Sequence, residues 1–359
     1  MPQKRKNTRG TGTRKNPGAT VRKKWWITAL VTIFVLGGII LLYIFLPVAA
    51  NKAEKSAFIR IPAGATSETV RDSVAKYLGD KYASKVYLMS KLTSSDFSSR
   101  HGAYMIDSGM SPLYAHRRLT KGSQQPLYVT INSARGLDIL SNRVAGKLDF
   151  SSDSLKSALK DPVILEEYQL SPDEALALFI DDSYQFFWNV SPQDFVKKIG
   201  KNYQKIWTPE RIEKASRLGL TPAQVIILAS IVDEETNKAD EKPLVARLYL
   251  NRLNKGMKLQ ADPTVKFALG DFALRRIRGE HLEVDSPYNT YKIKGLPPGP
   301  IRTVTVKDID AVLDAPIHDY IYMCAKDDFS GYHSFAKDYT VHLQNARNYQ
   351  KALNRRNIH

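Results

Sequence analysis

Cysteine is almost absent: the 359-residue chain has one, Cys324, at the end of the apolar run Tyr320 to Cys324. A lone thiol excludes an internal disulfide and a multi-thiolate metal site, and it reads as a small buried hydrophobe. A chain this long can bury a sizeable core without disulfides, so their absence does not exclude an exported protein. Histidine is sparse as well, and no pair shows the helical i, i+4 spacing with an acid between that marks a zinc site. No metal is therefore expected, and no cofactor. No stretch repeats at a period of 20–50 residues, which argues against a solenoid or propeller. Acids are missing from residues 1–24, where nine basic residues lie between Lys4 and Lys24. That tail supplies nine of the net +17 charges, leaving a modest +8 for the rest of the chain. A nucleic-acid partner is therefore not expected.

Charge of either sign is missing from Trp25 to Ala50. About 20 apolar residues span a bilayer core, and Trp25 and Trp26 suit the interface at its start. The expected organisation is a disordered tail over 1–24 and a transmembrane helix over 25–48. Basic residues stay on the cytoplasmic side, so everything after Asn51 is expected on the outer side of a single-pass anchor. The alternative is a cleaved signal peptide, whose apolar region is usually shorter.

At 359 residues the chain suits roughly two domains, and its apolar and aromatic content is that of a protein able to bury a real core. Residues 57–62 alternate like a strand, and Thr66 opens an amphipathic helix carrying Val70, Val74 and Leu78. A second such unit comes next, with a strand at 102–106, a helix capped by Ser111 and a strand at 127–131. Helices are expected over 135–147 and 152–159, then over 192–218 with a break near Pro209. Beyond Met257 the chain reads as loop-rich, closing in a strand at 319–324 and a helix after Thr340.

The richest stretch runs from Thr221 to Asp262. Thr221 with Pro222 is a strong helix start. Ile227 and Ile231 lie four apart and Glu235 continues their row, with Asp233 and Glu234 on other sides of the same turn. A carboxyl at the end of a buried stripe should have a raised pKa, which is what a general acid needs near neutral pH. The alternative is an acidic helix end on a solvated face. A partner helix is expected over about 243–255. Three loop blocks then present amide, hydroxyl and aromatic groups suited to sugars, at 259–264, 286–291 and 295–301. Ordinary turn chemistry would explain the same residues.

Together these blocks resemble one family. They are Leu228 to Glu235 (LASIVDEE), Ala246 to Leu253 (ARLYLNRL), Met257 to Val265 (MKLQADPTV), Tyr288 to Tyr291 (YNTY) and Gly295 to Ile301 (GLPPGPI). In order and spacing they resemble the MltG (YceG-like) family of endolytic murein transglycosylases, over roughly residues 57–357. The resemblance implies an α+β fold: a single N-terminal transmembrane helix, a small LysM-like module over 55–131, and a mixed α/β catalytic domain over 132–359. It implies cleavage of the β-1,4 bond between N-acetylmuramic acid and N-acetylglucosamine inside peptidoglycan glycan strands, leaving 1,6-anhydro ends. The family's Glu-x-Glu motif has its catalytic acid second, which is Glu235 here, with Asp233 in the first place. Arg252, Gln260, Asp262, Asn289 and Tyr291 would hold the sugars. The segment Phe179 to Tyr184 carries Asp181 where the family has proline. His333-Ser-Phe335 matches a His-x-Phe motif, although His333 and His342 each read as structural or surface residues. The implied setting is the inner membrane with the catalytic domain periplasmic, and peptidoglycan synthases are the implied protein partners. The alternative function is a non-catalytic peptidoglycan-binding scaffold of the cell-wall machinery.

Overall fold

The computed structural model describes residues 1–3, 17–45 and 56–356, apart from 96, 98, 99, 108 and 275. Two compact units divide the chain between Gln125 and Pro126.

The first unit opens with α1 (Pro17–Phe45). Within it, residues 24–42 are long and apolar enough to cross a membrane. The helix begins eight residues earlier than expected and takes in the basic residues 22–24, because Pro17 suits a first turn and Lys and Arg are good helix formers. Most of the expected disordered tail (4–16), and the expected end of the span at 48, lie outside the described residues. Next come β1 (Ser56–Ile61), α2 (Ser67–Leu78), α3 (Asp80–Leu92), β2 (Gly102–Asp107) and α4 (Pro112–Lys121). β1 and β2 pair antiparallel from Ser56 opposite Asp107 to Ile61 opposite Gly102. The Thr66 hydroxyl accepts from the Thr69 amide at 3.2 Å and starts α2, as expected. Ile59, Ile61, Val70, Val74, Leu78, Tyr104 and Ile106 form the core. Full burial of each such aliphatic side chain contributes about 1.5–3 kcal/mol. The helix α3 has no counterpart among the sequence expectations; it buries Tyr82, Ala83, Val86 and Met89, and the Tyr82 hydroxyl donates to the Met110 carbonyl at 2.8 Å.

The second unit holds β3 (Leu127–Ile131), α5 (Leu137–Ala145), α6 (Ser152–Leu159), α7 (Pro162–Glu166), a 3-10 turn over 172–178 and β4 (Asp182–Phe186). α8 (Pro192–Ile206), α9 (Pro209–Arg217), α10 (Pro222–Glu235), α11 (Lys242–Asn254) and α12 (Asp262–Leu269) come after β4. α13 (Val306–Leu313), β5 (Tyr322–Ala325), β6 (His333–Ala336) and α14 (Tyr339–Arg355) complete it. The strand at 127–131 pairs with β4 rather than with the module before it, so the first unit stops short of it. Around the candidate site the unit is mainly helical, with paired strands β5 and β6 as one wall.

α10 is the axis of this unit. Thr221 and Gln224 form a reciprocal capping box, satisfying two amides of the first turn. Every residue from Val225 to Val232 is buried, and α9, α11, α12 and α13 pack around the helix. Its last residue is Glu235. The two helices α12 and α13 interrupt a stretch that the sequence made look loop-rich, because Pro263 and short length hide their periodicity.

Candidate active site

Three acids end α10, and their surroundings separate them. Glu234 receives Arg135 through two hydrogen bonds of 2.8 and 3.0 Å, and Arg302 at 3.0 Å. Asp233 is held by Arg302 at 2.7 Å and by Lys242. Lys242 also reaches Asp308 at 2.6 Å. Asp233 and Glu234 are thus neutralised inside a cluster that fastens α10 to α11, α13 and the segments around Arg135 and Arg302. Glu235 has no ion-pair partner among the described residues.

Glu235 instead meets a phenol. The Tyr249 hydroxyl, from α11, donates to Glu235 Oε1 at 2.6 Å. Part of the carboxyl surface stays open to a pocket of about 190 Å³ between α10, α11, the loop at 259–262, Tyr291 and the paired strands β5 and β6. Burial pushes the Glu235 carboxyl up to about 7. The Tyr249 bond opposes that rise, since it favours the carboxylate; Asp262 adds to it, and His333 and Lys266 oppose it. Burial, then the Glu235 charge, also push the Tyr249 phenol well above its ordinary value, so it stays a donor. A carboxyl that keeps its proton near neutral pH beside an open pocket can protonate a leaving oxygen.

The expected sugar-binding residues divide. Gln260, Asp262, Tyr291 and Arg252 line this pocket with Glu235. Asp262 Oδ1 accepts from the Tyr291 hydroxyl at 2.6 Å. Gln260 is exposed, with its backbone in the left-handed region at φ 51°. That conformation costs a non-glycine residue energy. Its amide donates to the Thr290 carbonyl at 3.1 Å, and the Thr290 hydroxyl meets the Ala261 amide at 2.9 Å and the Thr264 hydroxyl at 2.8 Å. Thr290 therefore joins the two loop blocks.

Arg252 is mostly committed to the wall itself. Its Nε donates to the Ile321 carbonyl at 2.7 Å, and Nη1 to the Leu259 carbonyl at 2.9 Å and Gln260 Oε1 at 3.2 Å. Asn289 does not reach the pocket. It is fully buried; its amide nitrogen donates to the Leu282 and Val284 carbonyls, each at 2.8 Å, and its oxygen accepts from the Tyr291 amide at 3.0 Å. It shapes the loop that presents Tyr291. The third loop block also lies elsewhere. Its Ile301 amide donates to Ser230 Oγ at 3.1 Å, and Gly299 sits where a Cβ would fall 2.0 Å from the Asp173 carbonyl oxygen.

Two further residues line the pocket: His333, on β6, and Cys324, on β5. Cys324 is half-buried rather than buried, and burial pushes its thiol up, which keeps it a poor nucleophile. The His-x-Phe match is the only sequence signal for His333. Its position depends on Glu241, 92 residues away, which accepts the His333 amide at 2.6 Å and Nδ1 at 2.9 Å.

The profile of the YceG-like family matches residues 59–348. The chain is 26% identical over 289 residues to the endolytic murein transglycosylase of Bacillus subtilis, covering 75% of this chain and 78% of that protein. It is 32% identical over 110 residues to the endolytic murein transglycosylase of Streptococcus pneumoniae, covering 30% of this chain but 20% of that one. The crystal structure of a yceG-like protein from Listeria monocytogenes shares the fold, with a TM-score of 0.53 at 24% identity, covering 81% of this chain and 99% of that one.

Proposed function

The chain belongs to the YceG-like family, and from that premise we propose that it is a membrane-anchored endolytic lytic transglycosylase of peptidoglycan. Its substrate is the β-1,4 bond between N-acetylmuramic acid and N-acetylglucosamine within a glycan strand. One observation carries the reading: Glu235 ends a buried helix at an open pocket, with no ion-pair partner among the described residues, and burial pushes its carboxyl up to about 7.

Hydrolytic glycosidases generally need two carboxyl groups, one as acid and one as nucleophile or base. A transglycosylase of this type needs fewer, because the sugar's own C6 hydroxyl is the nucleophile. Glu235 gives its proton to the glycosidic oxygen, which leaves with the C1–O4 bonding pair. The C6 oxygen then closes on C1, and the C6 hydroxyl proton must find an acceptor, of which the Glu235 carboxylate is one. The attack is intramolecular and gains from a high effective concentration. Gln260, Asp262 and Tyr291 hold the saccharide in this reading, which their lining of the pocket supports, and Asn289 bonds the Tyr291 amide.

The basic tail favours a cytoplasmic N-terminus for α1, with residues beyond 56 outside the inner membrane, where peptidoglycan lies. The two strands and two helices from β1 to β2 suit a LysM-like glycan-binding module. Cutting strands as they are made would put peptidoglycan synthases nearby. Mass spectrometry of products from the detergent-solubilised chain acting on uncrosslinked glycan is expected to show 1,6-anhydro-muramic acid ends. Reducing ends would make the protein a hydrolase, and intact strands would leave it a binding protein.

A further inference from the structure

We propose that His333 is a second proton-handling group of the pocket, receiving the C6 hydroxyl proton as the anhydro ring closes. The inference rests on the transglycosylase reading and adds a residue to it.

Glu241 decides what His333 can do. It is only 3% exposed, and its two oxygens both go to His333, one to the amide at 2.6 Å and the other to Nδ1 at 2.9 Å. A buried carboxylate against Nδ1 fixes that nitrogen as the one bearing hydrogen. Nε2 then keeps its lone pair. Among the described residues Nε2 has no hydrogen-bond partner, and His333 forms part of the wall of the pocket that Glu235 opens onto. The pocket is small, about 190 Å³, so groups on its walls face the same sugar ring. One Glu241 oxygen orients the imidazole and the other anchors the His333 backbone, so ring and strand are held together at the pocket wall.

The charged and polar neighbours suit this role. Glu235 comes from α10, Tyr249 and Arg252 from α11, Asp262 from α12 and Tyr291 from the adjoining loop. The Tyr332 hydroxyl engages Asp240 at 3.1 Å, and Lys238 lies over its ring, so those charges are directed at the residue before His333. The Tyr249 hydroxyl already occupies one Glu235 oxygen. The Nε2 lone pair of His333 gives the C6 hydroxyl proton a separate acceptor on the pocket wall.

The step balances. The Glu235 proton goes to the departing O4, which takes the C1–O4 electron pair. A lone pair of the C6 oxygen forms the new bond to C1, and the C6 hydroxyl proton goes to His333 Nε2. Glu235 is left ionised and His333 charged. One proton returning from imidazolium to carboxylate restores the site, with no other reactant consumed.

The test uses the full chain in detergent, with anhydro-end release as the assay. His333→Ala is expected to lower kcat by roughly 10²-fold or more with KM little changed, and added imidazole should restore part of the loss. Glu235→Gln should not respond to imidazole. His333→Gln, which keeps an amide to donate to Glu241, should fold like wild type by circular dichroism and stay slow. Wild-type rates in either variant would overturn the proposal, as would a loss that imidazole leaves untouched in a folded His333→Ala protein. Wild-type chain that makes no anhydro ends would instead sink the transglycosylase reading, and this inference with it.

Discussion

Glu235→Gln should slow the release of anhydro-ended fragments by roughly 10²–10⁴-fold, the range spanned by removing a general acid, while leaving the protein folded. The substitution is nearly isosteric. The glutamine oxygen can still accept from the Tyr249 hydroxyl, which lies 2.6 Å from the carboxyl in the native chain, but the amide has no acidic proton to transfer to a leaving sugar. Neither neighbour can take over. Asp233 and Glu234 are already bonded to Arg302, with Lys242 and Arg135 completing the pairs. Initial rates on uncrosslinked glycan, read by product mass spectrometry, check this. A Glu235→Gln protein that cuts at the wild-type rate would place the acid elsewhere.

The second large effect is on stability. Lys242→Met should cost about 3–5 kcal/mol, the usual consequence of removing one partner from a buried ion pair. Lys242 bridges α10 and α13 by joining Asp233 to Asp308, and its own side chain is 15% exposed. Burial pushes the Asp308 carboxyl up, but hydrogen bonds from Lys242 and Thr305 outweigh that and hold it below its ordinary value. A group lowered in this way contributes stability that is present above its unfolded pKa and lost as the pH falls through its folded pKa. The cost of the substitution should therefore be largest at neutral pH and shrink below the usual aspartate value of 3.8. Urea unfolding at neutral pH and again below that aspartate value measures both. A loss under about 1 kcal/mol at neutral pH, the level of an exposed pair, would mean that Arg302 and Thr305 suffice to hold the cluster.

Much of this site is legible in the sequence, for a physical reason. Glu235 stands out because Ile227, Ile231 and Glu235 share one helical row, and periodicity survives in the sequence. Helix starts are legible for the same reason: Thr221, Ser111 and Thr66 each cap the helix that begins after them. Contacts between distant segments leave no such trace. Asn289 looks like a sugar ligand in the sequence, yet its role is set by the carbonyls of Leu282 and Val284, which the loop path alone leaves needing donors. His333 looks structural because Glu241 lies on another element, and only folding brings the two together. The eight-residue helices α12 and α13 escape the sequence reading where short length leaves few turns for a pattern to emerge.

The central claim is that the Glu235 carboxyl holds its proton near neutral pH, and titrating it tests this most directly. Carbon-13 labelling of glutamate, with Glu235→Gln to assign the signal, should give a midpoint of about 7 against an ordinary 4.5. Between those values the folded chain keeps a proton that the unfolded chain releases, so this group lowers stability as pH rises through the window. Activity should fall across the upper end of the same window, as the acid is lost. A midpoint near 4.5 would contradict the account, because the carboxyl would then be ionised at the pH where it must donate.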